Sequence, residues 1–263
     1  MAYLSVGDCR LFYLLDGPED RPVVMFSNSI GSDLGMWDTQ VPSVAKRFRV
    51  LRYDSRGHGR SDAPQGPYTI DRLGLDAATL IDGLGLRQVS FCGLSKGGMV
   101  GMWLGANAPH MLNRLVLANT SSNLGPPEFW DERIRVAQAD GMAALADVVI
   151  NRWFTPEFIH RAPAEIDRCR RMLVATPADG YAACCAAIRD MDLDTAMQGI
   201  RTPTLVIVGD RDPATPPSHG EKIAEAIAGS SLVRLSASHL SNIEAANDFN
   251  TAVMTHLAGQ TGT

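Results

Sequence analysis

The pentapeptide Gly93-Leu94-Ser95-Lys96-Gly97 restricts the folds open to this chain. It follows a short apolar run, Val89-Ser90-Phe91-Cys92, and precedes a small-residue stretch from Gly98 to Ala108. Within that stretch Val100, Trp103 and Leu104 recur at helical spacing. A strand that turns at once into a helix lifts the serine to the apex of the turn, into a cleft. The backbone is crowded there, so the flanking glycines avoid clashes that a side chain would make. The helix N-terminus behind the serine also favours developing negative charge. A glycine-rich phosphate loop is the rival reading. The segment lacks the Gly-x-Gly-x-x-Gly spacing and, despite Lys96, the Gly-Lys-Ser/Thr order. Ser95 is therefore the candidate nucleophile.

The surrounding pattern fits a strand–helix alternation. Tyr3–Val6 and Cys9–Leu14 flank Gly7-Asp8 as an opening hairpin. Short apolar runs then recur at Val23–Phe26, Phe48–Tyr53, Val89–Cys92, Leu115–Ala118, Thr204–Val208 and Leu232–Leu235. Runs of this kind, bounded by Gly, Asp and Ser, are how strands buried on both faces read. Between two of them Ile70, Leu73, Ala77, Leu80, Ile81 and Leu84 fall at helical spacing. The alternation predicts a doubly wound, mostly parallel α/β sheet. It lapses between Ser121 and Gln198, where helical patterns are broken by Pro126-Pro127, Pro156, Pro163 and Pro177. We expect residues 121–198 to form a helical cap inserted into a core of residues 1–120 and 199–263.

Composition removes several classes of function. At 263 residues the chain suffices for one large α/β domain with an insertion. The net charge of −5, with no basic block, argues against nucleic acid as a partner. No apolar run approaches the ~20 residues of a membrane-spanning helix. The N-terminal residues lack the basic start and apolar core of a signal peptide, which is expected of a cytoplasmic protein. The odd count of 5 cysteines, Cys9, Cys92, Cys169, Cys184 and Cys185, has no metal-binding spacing and suggests reduced thiols. The 6 histidines are scattered, so neither a metal nor another cofactor is expected. Among the 24 basic residues only Lys46, Lys96 and Lys222 are lysines. That bias reads as codon usage, although guanidinium groups also match a carboxylate substrate.

A serine hydroxyl needs a general base within hydrogen-bond reach. Behind a strand–serine–helix elbow the triad order is serine, acid, histidine. Of His219, His239 and His256, only His239 sits just past the last strand run, where such sheets assemble their sites. His219 falls in a proline-rich turn and His256 in the final helix, so both are expected at the surface. The acid should follow Thr204–Val208, where Asp210 and Asp212 compete. Asp210 has a ready alternative as a loop carboxylate paired with Arg211. The loop Tyr53-Asp54-Ser55-Arg56-Gly57-His58-Gly59 precedes the nucleophile and reads as a brace for the site, with neither Asp54 nor His58 catalytic.

Taken together the chain resembles the α/β-hydrolases and, more narrowly, the 3-oxoadipate enol-lactonases. The narrower match rests on Ser27-Asn28-Ser29-Ile30-Gly31 with Met36-Trp37-Asp38, and on Gly101 to Ala108 leading to Asn119-Thr120. It continues in Ala187-Ile188-Arg189-Asp190-Met191-Asp192, in Asp212-Pro213-Ala214-Thr215-Pro216-Pro217 and in Ser238-His239-Leu240-Ser241-Asn242. The resemblance implies Asp212, three residues past Gly209, as the acid. It implies an oxyanion hole from the backbone N–H groups of Ile30 and Lys96, with Asn28-Ser29 standing where relatives usually carry His-Gly. Lys96 departs from the apolar residue expected there; leaning into the pocket, it would favour anionic substrates.

The implied reaction opens an enol-lactone to 3-oxoadipate in bacterial aromatic-acid breakdown, without a cofactor. Its small anionic substrate carries a free carboxylate, which needs a partner in a partly dry pocket. Arg133, Arg135, Arg152, Arg161 and Arg189 are available in the expected cap. Arg133, one helical turn from Trp130, is the first choice because the pair offers a cation beside an aromatic face. The nearest alternatives keep the triad and change the substrate: a general carboxylesterase, a perhydrolase or a carbon–carbon bond hydrolase. Dehalogenases and epoxide hydrolases use Asp where Ser95 stands. A non-catalytic binding protein of this fold would often have lost one triad member, and all three are present.

Overall fold

The computed structural model describes residues 2–259. The ends of the two expected core segments, Met1 and residues 260–263, lie outside the described residues. Eight strands run β1 (Ala2–Val6), β2 (Cys9–Asp16), β3 (Val23–Ser27), β4 (Arg49–Tyr53), β5 (Val89–Leu94), β6 (Leu112–Ala118), β7 (Thr204–Gly209) and β8 (Ser231–Leu235). They form one sheet in the order β1-β2-β4-β3-β5-β6-β7-β8. The β1–β2 hairpin and the β2–β4 pair are antiparallel, and every later pairing is parallel. The sheet is thus doubly wound and mostly parallel, as the strand–helix alternation predicts.

Burial explains why the inner strands read as unbroken apolar runs. Every residue of β3, β5 and β7 is buried, because helices cover both faces of the sheet. The edge strand β8 leaves Ser231, Leu232 and Arg234 exposed. Helices α1 (Val41–Val44), α2 (Ile70–Gly83) and α3 (Lys96–Asn107) follow β3, β4 and β5. In α2, Thr69 caps the first turn by accepting from the Arg72 N–H, and Ile70, Leu73, Ala77, Leu80 and Ile81 face the core. Gly74 lets α2 close on α3, since a Cβ there would lie 2.2 Å from the Trp103 ring.

Between β6 and β7 the chain runs through α4 (Pro127–Asp140), α5 (Met142–Trp153), α6 (Pro156–Arg161), α7 (Pro163–Val174) and α8 (Ala178–Arg189). The prolines that interrupt the helical pattern sit at helix starts: Pro127, Pro156 and Pro163 are first residues and Pro177 caps α8. After β7 come α9 (Pro217–Ala226), α10 (Ser241–Glu244) and α11 (Ala246–Leu257).

The strand order reverses between β3 and β5, since β4 lies on one side of β3 and β5 on the other. Sheets of this kind bind ligands at the carboxyl ends of the strands flanking such a reversal. Ile30 follows β3 and Ser95 follows β5 at that point.

Candidate active site

Ser95 caps α3 with φ 59° and ψ −117°, a left-handed backbone that L residues rarely adopt. Two features enforce it. The Ser95 N–H donates to the Ala118 carbonyl at 2.9 Å, tying the elbow to β6. The flanking glycines leave no room for relaxation: a Cβ on Gly97 would lie 2.0 Å from the Ser27 carbonyl oxygen, and one on Gly93 2.1 Å from that of Gly97. Thr120 Oγ1 donates to the Ser95 carbonyl at 2.7 Å.

Asp212 and His239 come from the loops after β7 and β8, and the structure brings them together. The His239 Nδ1 lies 2.8 Å from Asp212 Oδ2. Both side chains are almost wholly buried. The rest of the carboxylate is also satisfied. Oδ1 accepts from the Ala214 and Thr215 N–H groups at 2.7 and 3.0 Å, and Oδ2 accepts from Thr215 Oγ1 and Asn119 Nδ2 at 2.7 and 3.0 Å. Burial works to raise its pKa. The charge of His239, the hydrogen bond to it, and the bonds from Thr215 and Asn119 prevail and carry it down to about 2. An ionised carboxylate fixed to Nδ1 leaves Nε2 as the nitrogen able to take a proton.

Asp210 lies outside this network. Contrary to expectation it pairs with Arg234 across 2.8 Å, while Arg211 pairs with Glu157 on α6. The loop after β7 thus sends its two carboxylates to opposite sides.

Ser95 and His239 line one cavity of about 320 Å³, together with Ile30, Trp130, Arg133 and Arg152. The Ile30 N–H makes no hydrogen bond among the described residues, and Lys96 is the first residue of α3, where N–H groups have no helical partner. The turn that carries Ile30 is held by His58, whose Nε2 accepts from the Gly31 N–H at 2.9 Å. Burial, then the nearby charge of Lys96, pushes the His58 pKa down to about 3, so the imidazole stays neutral and keeps its acceptor. Asp54 accepts from the Leu34 and Arg60 N–H groups at 2.7 and 2.8 Å. Both residues brace the site.

The Lys96 side chain does not line the cavity. It is fully buried behind the elbow and donates to Ser55 Oγ. The Lys96 ammonium therefore does not face a molecule bound in the cavity.

His219 was expected at the surface, but Pro216-Pro217 open α9 rather than a surface turn. The helix carries His219 into the cavity wall, where its Nδ1 lies 2.9 Å from Ser121 Oγ. His256 sits in α11, with Nε2 3.2 Å from the Pro203 carbonyl, away from the cavity.

Arg133 Cζ lies 5.8 Å from the Trp130 ring centroid and 4.8 Å from that of Phe129. Its Nη1 donates to Tyr181 Oη at 2.7 Å. Trp130 itself donates to the Leu124 carbonyl at 2.7 Å. Of the other arginines offered by sequence, Arg135 and Arg189 pair with surface carboxylates and Arg161 packs over Phe158, all away from the cavity; Arg152 lines it. Sequence reasoning named Asn119 and Thr215 only as parts of motifs. The signal for Asn119 was its place after a buried strand, since Asn is among the few residues that tolerate its φ of 43°.

A serine on a strained elbow and a histidine oriented by an ionised aspartate, lining one cavity, are the parts that acyl transfer needs. Residues 22–246 match the family model described as the alpha/beta hydrolase fold. The chain is 40% identical to 3-oxoadipate enol-lactonase 2 of Acinetobacter baylyi, across 95% of this chain and 94% of that one. It is 44% identical to the crystal structure of the enol-lactonase from Burkholderia xenovorans LB400, with a TM-score of 0.97 over 98% of this chain and 100% of that one. A crystal structure of a hydrolase from Pseudomonas aeruginosa is 49% identical, with a TM-score of 0.95 over 97% of both chains. The chain belongs to the α/β-hydrolase fold family, alongside its enol-lactonase members.

Proposed function

We propose that this protein hydrolyses 3-oxoadipate enol-lactone to 3-oxoadipate in aromatic-acid breakdown. The observation that carries the reading is the Asp212–His239 pair, whose histidine lines the same small, cation-bearing cavity as Ser95. The likeness to enol-lactonases supports the choice of substrate.

In this reading His239 takes the Ser95 hydroxyl proton as Oγ attacks the lactone carbonyl. The N–H groups of Ile30 and Lys96 hold the oxyanion. The ring C–O bond breaks, and the enolate, still tethered through the acyl-enzyme, takes the proton held by His239 and becomes a ketone. An enolate is a good leaving group, so this step asks little of an acid. His239 then activates water, which adds to the acyl carbonyl and frees Ser95. Arg133, beside Trp130, takes the substrate carboxylate through a charge-assisted bond. Residues 121–198 act as the cap that closes the cavity over the elbow.

The test is ring opening of the enol-lactone by purified protein, with Ser95→Ala beside it. We expect enzymatic turnover that Ser95→Ala lowers by at least ~10³-fold. A wild-type rate no faster than buffer rejects the proposal. Faster turnover of a simple nitrophenyl ester than of the lactone would favour a general esterase.

A further inference from the structure

We infer that Arg152 joins Arg133 in a two-guanidinium site for the substrate carboxylate and that Arg152 sets the preference for anionic over neutral esters. The inference rests on the hydrolase reading above but not on the identity of the lactone.

Both guanidinium groups line the cavity that holds Ser95 and His239. Both pack over a single ring, that of Phe129, with Cζ 4.8 Å from its centroid for Arg133 and 5.0 Å for Arg152. Neither has a carboxylate within 4.0 Å among the described residues, a lack they share on helices α4 to α8 only with Arg161 and Arg171, which are exposed to solvent. Arg135, Arg168, Arg170 and Arg189, on the same run of helices, each hold one. Arg133 is nearly buried, with 8% of its surface exposed, and its one hydrogen-bond partner is the neutral Tyr181 phenol.

Two like charges on one ring, partly withdrawn from water and without a counterion, are costly to keep. The ring faces of Phe129 and Trp130 offset part of that cost. A carboxylate between the guanidinium groups offsets the rest. Burial, then the charge of Arg133, lowers the proton affinity of Arg152, which the more distant Asp212 carboxylate only partly restores.

The donors are also free. Arg152 Nη2 donates to the Pro213 carbonyl at 3.2 Å, which leaves most of its fork unused. That bond has a second consequence. Pro213 follows Asp212, and the neighbouring backbone of α5 is tied to the histidine loop, with Ser238 Oγ donating to the Arg152 carbonyl at 3.1 Å and the Leu240 N–H to the Trp153 carbonyl at 3.0 Å. Arg152 is thus held at a fixed distance from both triad loops. A carboxylate bound to it sets where the ester carbonyl of a short substrate falls. The cavity volume of about 320 Å³ admits only a small molecule, so the anion and the scissile bond must be close in the substrate.

The experiment compares kcat/KM for 4-nitrophenyl hydrogen succinate with that for 4-nitrophenyl butyrate, which is similar in size and neutral. The wild type is expected to favour the anionic ester. Arg152→Met should lower that preference about tenfold or more, mainly through KM for the succinate. Arg152→Lys keeps a cation and should recover part of it. Arg133→Met should lower the preference as well. Parallel losses on both esters, no recovery in Arg152→Lys, or no preference in the wild type would overturn the assignment. The lactone assay is read separately: failure there with the ester preference intact removes the proposed lactone and leaves the arginine pair standing.

Discussion

Asp212 accepts hydrogen bonds from two backbone amides, Thr215, Asn119 and His239, while Asp210 two residues earlier pairs with Arg234 at the surface. Sequence alone left the two carboxylates in competition, and only resemblance chose between them. The physical distinction lies in the turn Asp212-Pro213-Ala214-Thr215, whose amides fold back on Oδ1. Asp212→Asn should lower kcat on the order of 10³–10⁴-fold, because an amide oxygen no longer holds the imidazolium that forms. Asp210→Asn should change kcat by less than about threefold, since an exposed ion pair is worth little. Steady-state kinetics on one ester checks both; the reverse ranking exchanges their roles. His219 shows where residue-level reading failed. Its place depends on which wall of the cavity a helix presents, and spacing along the chain is silent on that.

At the scale of elements, the elbow between β5 and α3 was readable because its demands are local. Strand, turn and helix must follow one another within a few residues, and only glycine fits two of the positions. Gly97→Ala would push a methyl into the Ser27 carbonyl, a backbone atom of β3 that cannot swing aside. We expect it to destabilise the fold by more than about 3 kcal/mol, or to leave the protein insoluble. Gly105→Ala, whose nearest contact is the Ile200 side chain at 3.1 Å, should cost less than about 1 kcal/mol because a helical alanine regains part of the strain. Urea unfolding of the two variants compares them, and equal stability of Gly97→Ala and wild type would refute the packing argument. Five of the six later strand runs were equally open to reading, since burial on both faces writes itself as continuous apolar sequence; β8, at the sheet edge, lacks that burial. The five helices between β6 and β7 were visible as a class but not in arrangement. Their amphipathic patterns do not say which neighbour each face meets.

For the molecule as a whole, buried groups of opposite sign set the response to acid. The His58 pKa is pushed down to about 3 in the folded state, so the unfolded chain binds the extra proton below about pH 6.5 and stability falls with pH from there. Burial pushes the Asp54 carboxyl up to about 6, so the folded state binds the extra proton between that value and the ordinary carboxylate range, and stability rises as pH falls through it. The two oppose each other between pH 6 and 4. Below that, Asp212, held at about 2, together with Asp8 and Asp62, whose pKa values the hydrogen bonds of Arg56 and Arg10 lower, favours the unfolded state on protonation. Burial also lowers the His219 and His256 pKa values, which adds to the His58 side. Urea midpoints should therefore fall modestly from pH 6 to pH 4.5 and steeply by pH 3.5. Midpoints that rise from pH 6 to pH 4.5 would mean that these histidines are charged in the fold. The strand–helix alternation, the elbow serine and the order of the residues around it are legible along the chain, because each follows from short-range sterics or from burial on both faces of a strand. That Asp212 faces His239, that Lys96 turns away from the cavity, and that Arg133 and Arg152 share one aromatic ring emerge from the packing of distant segments. Those outcomes depend on how separate elements meet, and no spacing within one element encodes where its side chains arrive.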